Sequence, residues 1–433
     1  MHVVGTAGHV DHGKSTLIAA LTGIHPDRLK EERTREMTID LGFAWMELPG
    51  GEMVGIVDVP GHRDFIENML AGVGGIDAAL FVIAADEGVM PQTREHLAIL
   101  DILQVPGGVI VLTKTDLVDD PEWLDLVESE ARQAVQGTIL SDAPLVRVSA
   151  KTGAGLDRLV SIMGETLARH PQRPDLGRAR LPVDRVFSMP GFGTVVTGTL
   201  TDGKFHLGDE LEILPAGVRG RVRGLQTHNR KEDTALPGSR TAINLGGVDL
   251  DQVQRGNVVA QPGKYRTSQR LDVYFRLLPD AASPLKHNQE IKMFLWTAET
   301  VGRVRLLGAE ELLPGQAGWL QIELRDPVVA LRGDRYILRR PSPGETLGGG
   351  EVVNPNPAVR HKRFSAEVLQ QLEAFRRGSP DEVLLQALFV SGPLPIREAV
   401  SRARLEADQA RLALAELVET GQILMLEKGD PST

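Results

Sequence analysis

Over its first third the chain alternates short apolar runs with longer amphipathic stretches. "HVVGTA", "MVGIVDVP", "AALFVIAA", "GGVIVLTK" and "PLVRVSA" read as buried strands, rich in Val, Ile and Ala and cut off by Gly, Pro or polar residues. Between them "KSTLIAALTG", "PQTREHLAILDIL", "PEWLDLVESEARQAV" and "GLDRLVSIMGETLARH" place apolar residues at helical spacing. Strands alternating with helices predict a parallel sheet covered on both faces. Helical spacing stops near "PQRPDLGRARLP", Pro171 to Pro182, whose prolines and charges suggest a linker. From Val183 to about Pro357 short Val/Thr/Leu runs are separated by Gly, Asp and Pro, as in "GTVVTGTLTDGKFHLGDELEIL", which is the texture of β-barrels. A second seam, "QPGKYRTSQ" from Gln261 to Gln269, divides this region into two barrels. Helical spacing returns at Phe364, where "SPDEVLLQALFV", "LPIREAVSRA" and "EADQARLALAELVETG" predict three helices before the apolar run "QILMLE". Three helices and a strand predict a small winged-helix unit. The expected domains are 1–172, 178–264, 268–357 and 364–433.

Composition narrows the class. The 433 residues are 42% apolar and 24% charged, as in globular proteins. No apolar run reaches the roughly 20 residues that span a bilayer, and "MHVVGTAGHV" has no basic stretch ahead of a signal-like core. The expectation is a cytoplasmic protein with no membrane partner. The absence of cysteine excludes disulfides, thiolate metal sites and a cysteine nucleophile. The net charge of −10 is uneven: residues 1–172 hold 13 Lys+Arg against 26 Asp+Glu, and the remainder 35 against 32. A polyanionic partner is therefore expected on the later domains, chance variation between domains being the alternative.

The first domain carries the chemistry. "GHVDHGKS", Gly8 to Ser15, fits G-x-x-x-x-G-K-[ST] and lies between an apolar strand and a good helix former. Its glycines let backbone N–H groups turn toward phosphate oxygens, Lys14 offers a charge to the outer phosphates, and the Ser15 hydroxyl suits Mg²⁺. Asp11, His12, Gly13, Lys14, Ser15 and Thr16 are the expected phosphate contacts, with the side chains of His9 and His12 read as structural. "DVPG" ends the next convincing strand, placing Asp58 in reach of the Mg²⁺ shell and the Gly61 N–H toward a γ-phosphate. "TKTD" follows another strand. There Asp116 accepts both donors of a guanine edge, the Lys114 stem lies along the ring, and Thr113 precedes them. "SAK", Ser149, Ala150 and Lys151, ends a further strand, where backbone N–H groups suit the guanine carbonyl. Each segment alone is weak, but all four fall in order at the carboxyl ends of the strands, where open parallel sheets bind ligands. They predict an α/β P-loop GTPase domain for GTP and GDP. His62 follows the "DVPG" glycine, where such enzymes keep the side chain that orients the attacking water.

With these residues in place the chain resembles the translational GTPases. "GHVDHGKST", "DVPGHRDFIENMLAG" and "ADEGVMPQTREHLAIL" are shared with elongation factor Tu and its relatives. "MTIDLGFAW", "VDRVFSMPGFGTVVTGTL" and "RPSPGETLGGGEVVNPNP" resemble more specifically the bacterial selenocysteine-specific elongation factors. The resemblance implies a GTPase that delivers selenocysteinyl-tRNA to the ribosome, acting as a monomer. It makes Thr38 the switch threonine on Mg²⁺, His62 the water-orienting histidine, and Val10 and Met37 an apolar gate beside it. Asp184, Arg185 and Arg240 then match the pocket for the charged aminoacyl group. An anionic selenol suits paired guanidiniums better than a neutral serine side chain does. The alternating arginines of "VRGRVRG", Arg219, Arg221 and Arg223, with Arg230 and Lys231 behind them, form a stripe suited to tRNA phosphates, a solvated strand face being the alternative. The charged run "DRLKEERTRE", from Asp27, becomes the exposed part of a switch segment, and Glu36 departs from the glycine that relatives carry there. The arm that follows the barrels in that family strings several winged helices together, the last of which bind an mRNA hairpin. Hairpin binding is expected only where those are present. The alternatives are an elongation factor Tu-like or initiation-factor-gamma-like role, or a poorly hydrolysing GTP-dependent recruitment protein.

Overall fold

The computed structural model of the chain describes residues 2–425 apart from 27–37, 171, 172, 174, 176, 192, 229, 343, 392–394, 404 and 406. In the first domain β1 (His2–Gly8), β2 (Gly42–Glu47), β3 (Met53–Asp58), β4 (Ala78–Ala84), β5 (Gly108–Thr113) and β6 (Leu145–Arg147) form one sheet in the order β2-β3-β1-β4-β5-β6. Helices α1 (Lys14–Thr22), α2 (Ile66–Val73), α3 (Pro91–Leu103), α4 (Pro121–Val135) and α5 (Leu156–Ala168) cover it. Strands β1, β4 and β5 are buried at every position, as expected of strands with apolar residues on both faces. One face packs Phe81, Ile83 and Leu112 against Met69, Leu97 and Ala131 of α2, α3 and α4. The other packs Val4, Leu80 and Val111 against Leu17 of α1 and Leu159 and Met163 of α5. The sheet is not wholly parallel: β2 joins β3 as an antiparallel hairpin, closed by a turn in which Gly51 takes φ 82°. Helix α2, "IENMLAGV", is also additional to the helices expected from periodicity.

Two closed barrels follow. Strands β7 (Arg180–Met189), β8 (Gly193–Thr199), β9 (Phe205–His206), β10 (Glu210–Leu214), β11 (Val218–Thr227), β12 (Arg230–Glu232), β13 (Thr234–Ala235), β14 (Arg240–Gly246) and β15 (Val258–Ala260) build the first. Its ring runs β10-β15-β7-β8-β14-β11 and closes through β10–β11. The second uses β16 (Thr267–Leu277), β17 (Leu285–Lys286), β18 (Glu290–Leu295), β19 (Ala298–Leu306), β20 (Glu311–Leu312), β21 (Ala317–Val329), β22 (Arg335–Arg340) and β23 (Glu345–Asn354), with the ring β16-β21-β19-β18-β22-β23. Closure removes the exposed edges that short Val/Thr-rich strands would otherwise present. Arg180 of β7 joins the barrels: it donates to both carboxylate oxygens of Asp334, at 2.8 and 2.9 Å, and lies 4.8 Å over the Trp296 ring.

The uneven charge has a visible use. Ion pairs between the first domain and the barrels put the acid on the first domain: Asp40 with Arg185 and Arg255, Glu67 with Lys292, Glu95 with Arg339, and Asp101 with Arg276. The expected linker after the first domain is itself tethered, since Arg173 donates to Asp77 and to the Gly75 carbonyl at 2.8 Å each.

The C-terminal region holds the three expected helices, with one more ahead of them and no strand among the described residues. Four helices are described, α6 (Ala366–Arg377), α7 (Pro380–Ser391), α8 (Ile396–Ala403) and α9 (Ala407–Glu419), and Ile423–Met425 form no strand. After α9 the chain turns at Gly421, φ 70°, and the Ile423 N–H bonds the Leu417 carbonyl, so that Ile423 packs on the helices instead of pairing. The rest of "QILMLE" lies outside the described residues. Helix α6, capped by Ser365 and ended by Gly378 in the left-handed region, is fastened to the second barrel through Arg376, which stacks 3.5 Å over Tyr274 and bonds Glu351. No helix among the described residues is long and apolar enough to cross a membrane.

Candidate functional site

The phosphate loop connects β1 to α1. Gly13, at the N-cap of α1 with φ 81°, takes a conformation that disfavours side chains, and its neighbours leave the first N–H groups of α1 without intrahelical partners. Lys14 is buried and donates to the loop carbonyls of Gly8 and His9 at 3.2 and 2.6 Å, which fixes its ammonium inside the loop. Thr16 is exposed on the first turn of α1, and Asp11 takes φ 61° at the loop tip. Beside the loop Ser15 Oγ lies 2.8 Å from Thr38 Oγ1 and donates to Asp58 Oδ2 at 2.6 Å. Thr6 holds the other Asp58 oxygen at 2.7 Å. One carboxylate and two hydroxyls within hydrogen-bond reach of one another form a hard oxygen set that fits Mg²⁺, an ion that keeps waters and phosphate oxygens as its remaining ligands. Gly61 reaches this group from the "DVPG" turn. A Cβ there would fall 2.5 Å from Lys14 Nζ and 2.6 Å from the Val10 nitrogen, so only glycine allows the approach.

The remaining first-domain residues gather at the same sheet edge. Thr113 Oγ1 donates to the His12 carbonyl at 2.7 Å, tying the end of β5 to the loop. Lys114 takes φ 56° and lies 3.4 Å from both Asp86 and Glu87. Ser149 donates to Asp116 Oδ1 at 2.6 Å, and this bond holds the Asp116 carboxyl below the usual carboxylate range. The Thr152 N–H closes the turn on Ser149 Oγ at 3.1 Å, with Ala150 and Lys151 between them. His62 accepts from the Asp64 N–H at 3.2 Å and sits 5.9 Å from the Phe65 ring. Val10 is half-buried beside Gln92, whose side chain accepts its N–H at 3.3 Å. Met37, Glu36 and the charged run from Asp27 lie outside the described residues.

Behind the loop, His96 was not singled out by sequence reasoning, whereas His12 was read as structural. His96 of α3 is fully buried and its Nδ1 accepts the Gly8 N–H at 3.0 Å, which requires a neutral ring. Burial holds its pKa well below normal, and burial likewise lowers His12 to about 3. The signal was present in "MPQTREHLAIL", where a histidine stands on the apolar face of an amphipathic helix.

The three residues expected in the first barrel come together from neighbouring strands. Asp184 sits where the β7–β8 register shifts, a bulge that re-aims its side chain inward. Arg240 of β14 grips it with both guanidinium arms, at 2.6 and 2.9 Å, and Thr197 of β8 donates to it at 2.7 Å. Arg185 points to the first domain, donating to Asp40 and to the Leu41 carbonyl. Phe43 of β2 completes the wall, with Arg240 3.3 Å and Arg185 4.6 Å over its ring. Phe43, Arg185, Thr197 and Arg240, with Trp45, Gln226 and His228, line a cavity of about 200 Å³ between β2 and the barrel, and Asp184 is buried behind Arg240. Gln226 and Ala242 also line a second groove of about 410 Å³ floored by Met189, Leu207 and Leu225, with Arg223 and Lys231 at its side. Arg219, Arg221 and Arg223 are exposed on alternate positions of β11, and Arg230 on β12 is exposed as well.

Comparison with known proteins adds the relatives. Residues 1–169 match the elongation factor Tu GTP binding domain, 193–260 elongation factor Tu domain 2, and 272–359 the selenocysteine-specific elongation factor, beta-barrel domain. The chain is 44% identical over 392 residues to the selenocysteine-specific elongation factor of Desulfomicrobium baculatum, covering 90% of this chain and 61% of that one. It is 36% identical over 417 residues to that of Escherichia coli K12, covering 96% and 65%. Among solved structures, the bacterial selenocysteine-specific elongation factor EF-Sec superposes with a TM-score of 0.80 at 33% identity, over 89% of this chain and 63% of that one. The translation elongation factor SelB from Methanococcus maripaludis, in complex with the GTP analogue GppNHp, gives 0.71 at 29% identity, over 82% and 80%. The chain thus spans less than two thirds of the length of these curated relatives.

Proposed function

This chain belongs to the selenocysteine-specific elongation factors, and from that premise we propose that it binds GTP, carries selenocysteinyl-tRNA to the ribosome in the cytoplasm and hydrolyses GTP to GDP and phosphate on delivery. The observation that carries the proposal is the strap between its two sites. Thr38 meets Ser15 at the nucleotide loop, and two residues on, Asp40 and Leu41 receive Arg185 of the barrel, with Phe43 packed on Arg240. One short segment therefore touches both the phosphate end of the nucleotide site and the arginines of the cavity.

In this reading the loop N–H groups and Lys14 bind the phosphates, and Asp116, held by Ser149, accepts from the guanine edge. Ser15, Thr38 and Asp58 would hold Mg²⁺, which when bound supplies positive charge against the phosphate oxygens. His62 orients the water at the phosphate end. When Thr38 lets go, Asp40 and Phe43 lose their anchor, and the cavity wall loosens with them. In the cavity Asp184 and Phe43 fix the Arg240 guanidinium from edge and face, so that little ordering remains when an anionic selenol arrives. The second groove continues from the cavity through Gln226 and Ala242 toward the arginine stripe, a path fitted to the 3′ end of a tRNA. The deciding experiment compares selenocysteinyl-, cysteinyl- and seryl-tRNA binding to the GTP-bound protein. Selenocysteinyl-tRNA should bind tightest, with Arg240→Ala erasing its advantage over seryl-tRNA; equal affinity of the wild type for all three would reject the assignment.

A further inference from the structure

The chain between the second barrel and α6 is a stapled joint that displays cations. Asp272, fully buried, receives Gln321 at 2.8 Å, Asn354 at 3.1 Å and His361 at 2.9 Å, which locks the joint to the barrel wall. Arg305 of β19 donates through Nε to the His361 carbonyl at 2.8 Å, and Arg363 donates to the carbonyls of Leu306 and Ala309 at 3.0 Å each. Backbone carbonyls thus aim these guanidiniums. Arg360 has Glu323 and Arg363 has Glu310 as exposed carboxylate partners, while Arg305 and Lys362 have no ion pair among the described residues. Burial first, and then the neighbouring Arg360 and Arg363, lower the Arg305 pKa, with Glu323 acting the other way. Next to them Phe364 takes φ 59° and leaves half its side chain in solvent, with Arg363 4.8 Å over its ring.

We propose that Arg305, Arg360, Lys362 and Arg363 form a second RNA-binding surface, separate from the β11 stripe, that takes phosphodiester groups where an RNA passes the joint of barrel and α6. Rigidly aimed guanidiniums suit phosphate oxygens in a way that solvated lysines do not. The exposed aromatic beside them favours RNA over an acidic peptide, because a ring offers a stacking face to a sugar or base and nothing to a carboxylate. The site rests on the function proposed above, and two RNAs fit its chemistry: the carried tRNA and ribosomal RNA.

The test uses the whole chain with GTP bound and two variants, Lys362→Glu, which touches no staple, and Arg305→Ala. Affinity for selenocysteinyl-tRNA is measured against salt, and ribosome-stimulated hydrolysis is measured in parallel. If tRNA lies on the joint, each variant should bind it at least fivefold more weakly at about 0.1 M salt, and each lost contact should flatten the log–log salt slope by about 0.9. If ribosomal RNA does, tRNA binding stays and the ribosome concentration needed for half-stimulation rises by the same factor, which also sustains the surface. Variants equal to wild type in both arms overturn it. A wild-type chain that binds no aminoacyl-tRNA instead overturns the proposed function, and the ribosome arm then decides the surface alone.

Discussion

The first domain and the barrels treat buried polar groups in opposite ways. In the first domain they converge on a place where a ligand's charge belongs: Ser15, Thr38 and Asp58 share one point, and Lys14 rests on loop carbonyls. Behind the loop the Nε2 atoms of His12 and His96 are buried with no hydrogen-bond partner. In the barrels the most buried charges close on partners within the barrels, with Arg180 on Asp334, Arg240 on Asp184, and Asp272 under three donors, while cations nearer the surface reach the first domain. A domain whose polar groups await a ligand is stabilised by that ligand and by the right pH. A body whose buried charges already have internal partners needs no ligand to hold them.

The strongest way to break this contrast is Asp334→Ala. Removing one partner of a buried pair leaves Arg180 charged and unpaired, at a cost of about 3–5 kcal/mol. Hydrogen exchange in β7 and β16 should accelerate accordingly while β1 and β4 keep their protection. A loss below about 1 kcal/mol would mean that the barrels do not depend on internal charge matching.

Acid should act on the other side. The unfolded chain protonates its histidines near pH 6.5, whereas folded His12 resists until about 3 and His96 stays neutral in the folded state well below the usual range. Their contribution to stability is complete above the unfolded value and is lost as pH falls toward the folded one. Each adds a dependence of up to about 1.4 kcal/mol per pH unit in that window. Exchange protection of β1 and β4 should therefore drop between pH 7 and 5, with that of β19 and β21 falling less. Equal loss in both regions would place the acid-sensitive groups elsewhere.

The same contrast explains what could be read from the chain. Nucleotide contacts sit in short motifs at strand ends, so Lys14, Asp58 and Asp116 are legible one segment at a time. Asp184, Thr197 and Arg240 stand on β7, β8 and β14, up to 56 residues apart, and no local spacing links them. Only the resemblance pointed to Asp184 and Arg240, and Thr197, Asp40 and Phe43 fell inside quoted motifs without a role of their own. Arg180 and Asp334 are 154 residues apart and read as ordinary strand-end charges. The β2 strand showed only as an apolar, β-like stretch at the end of the charged run, because "GFAWME" is too short to stand out as a sheet strand. The fourth C-terminal helix, α6, was missed because its apolar face is committed to the barrel through single residues such as Leu369, which packs on Gly308.

A third prediction separates ligand chemistry from the barrels. His62 makes no contact with a barrel among its described partners, so His62→Ala should keep GTP affinity and barrel protection and slow single-turnover hydrolysis at least tenfold, about 1.4 kcal/mol in the barrier. Unchanged hydrolysis would remove the histidine from the reaction.

The smallest effect tests the seam between the two regions. Lys292 of the second barrel lies 2.8 Å from Glu67 on α2, the helix that follows the "DVPG" turn, and 2.9 Å from Glu299 on its own barrel. Both carboxylates are more than a third exposed, so solvent screens the cross-domain pair and its worth is about 0.2–1 kcal/mol. Lys292→Ala should leave each domain as stable as before, because Glu67 remains hydrated and the barrel keeps its own core. What should change is the docking of α2 on the barrel, and with it the salt dependence of the closed arrangement. Scattering or a distance label across the seam should show the variant opening at lower ionic strength than wild type in the same nucleotide state. If it opens at the same ionic strength, the acid-on-base pairing reflects the surface charge of two domains and does not hold them together.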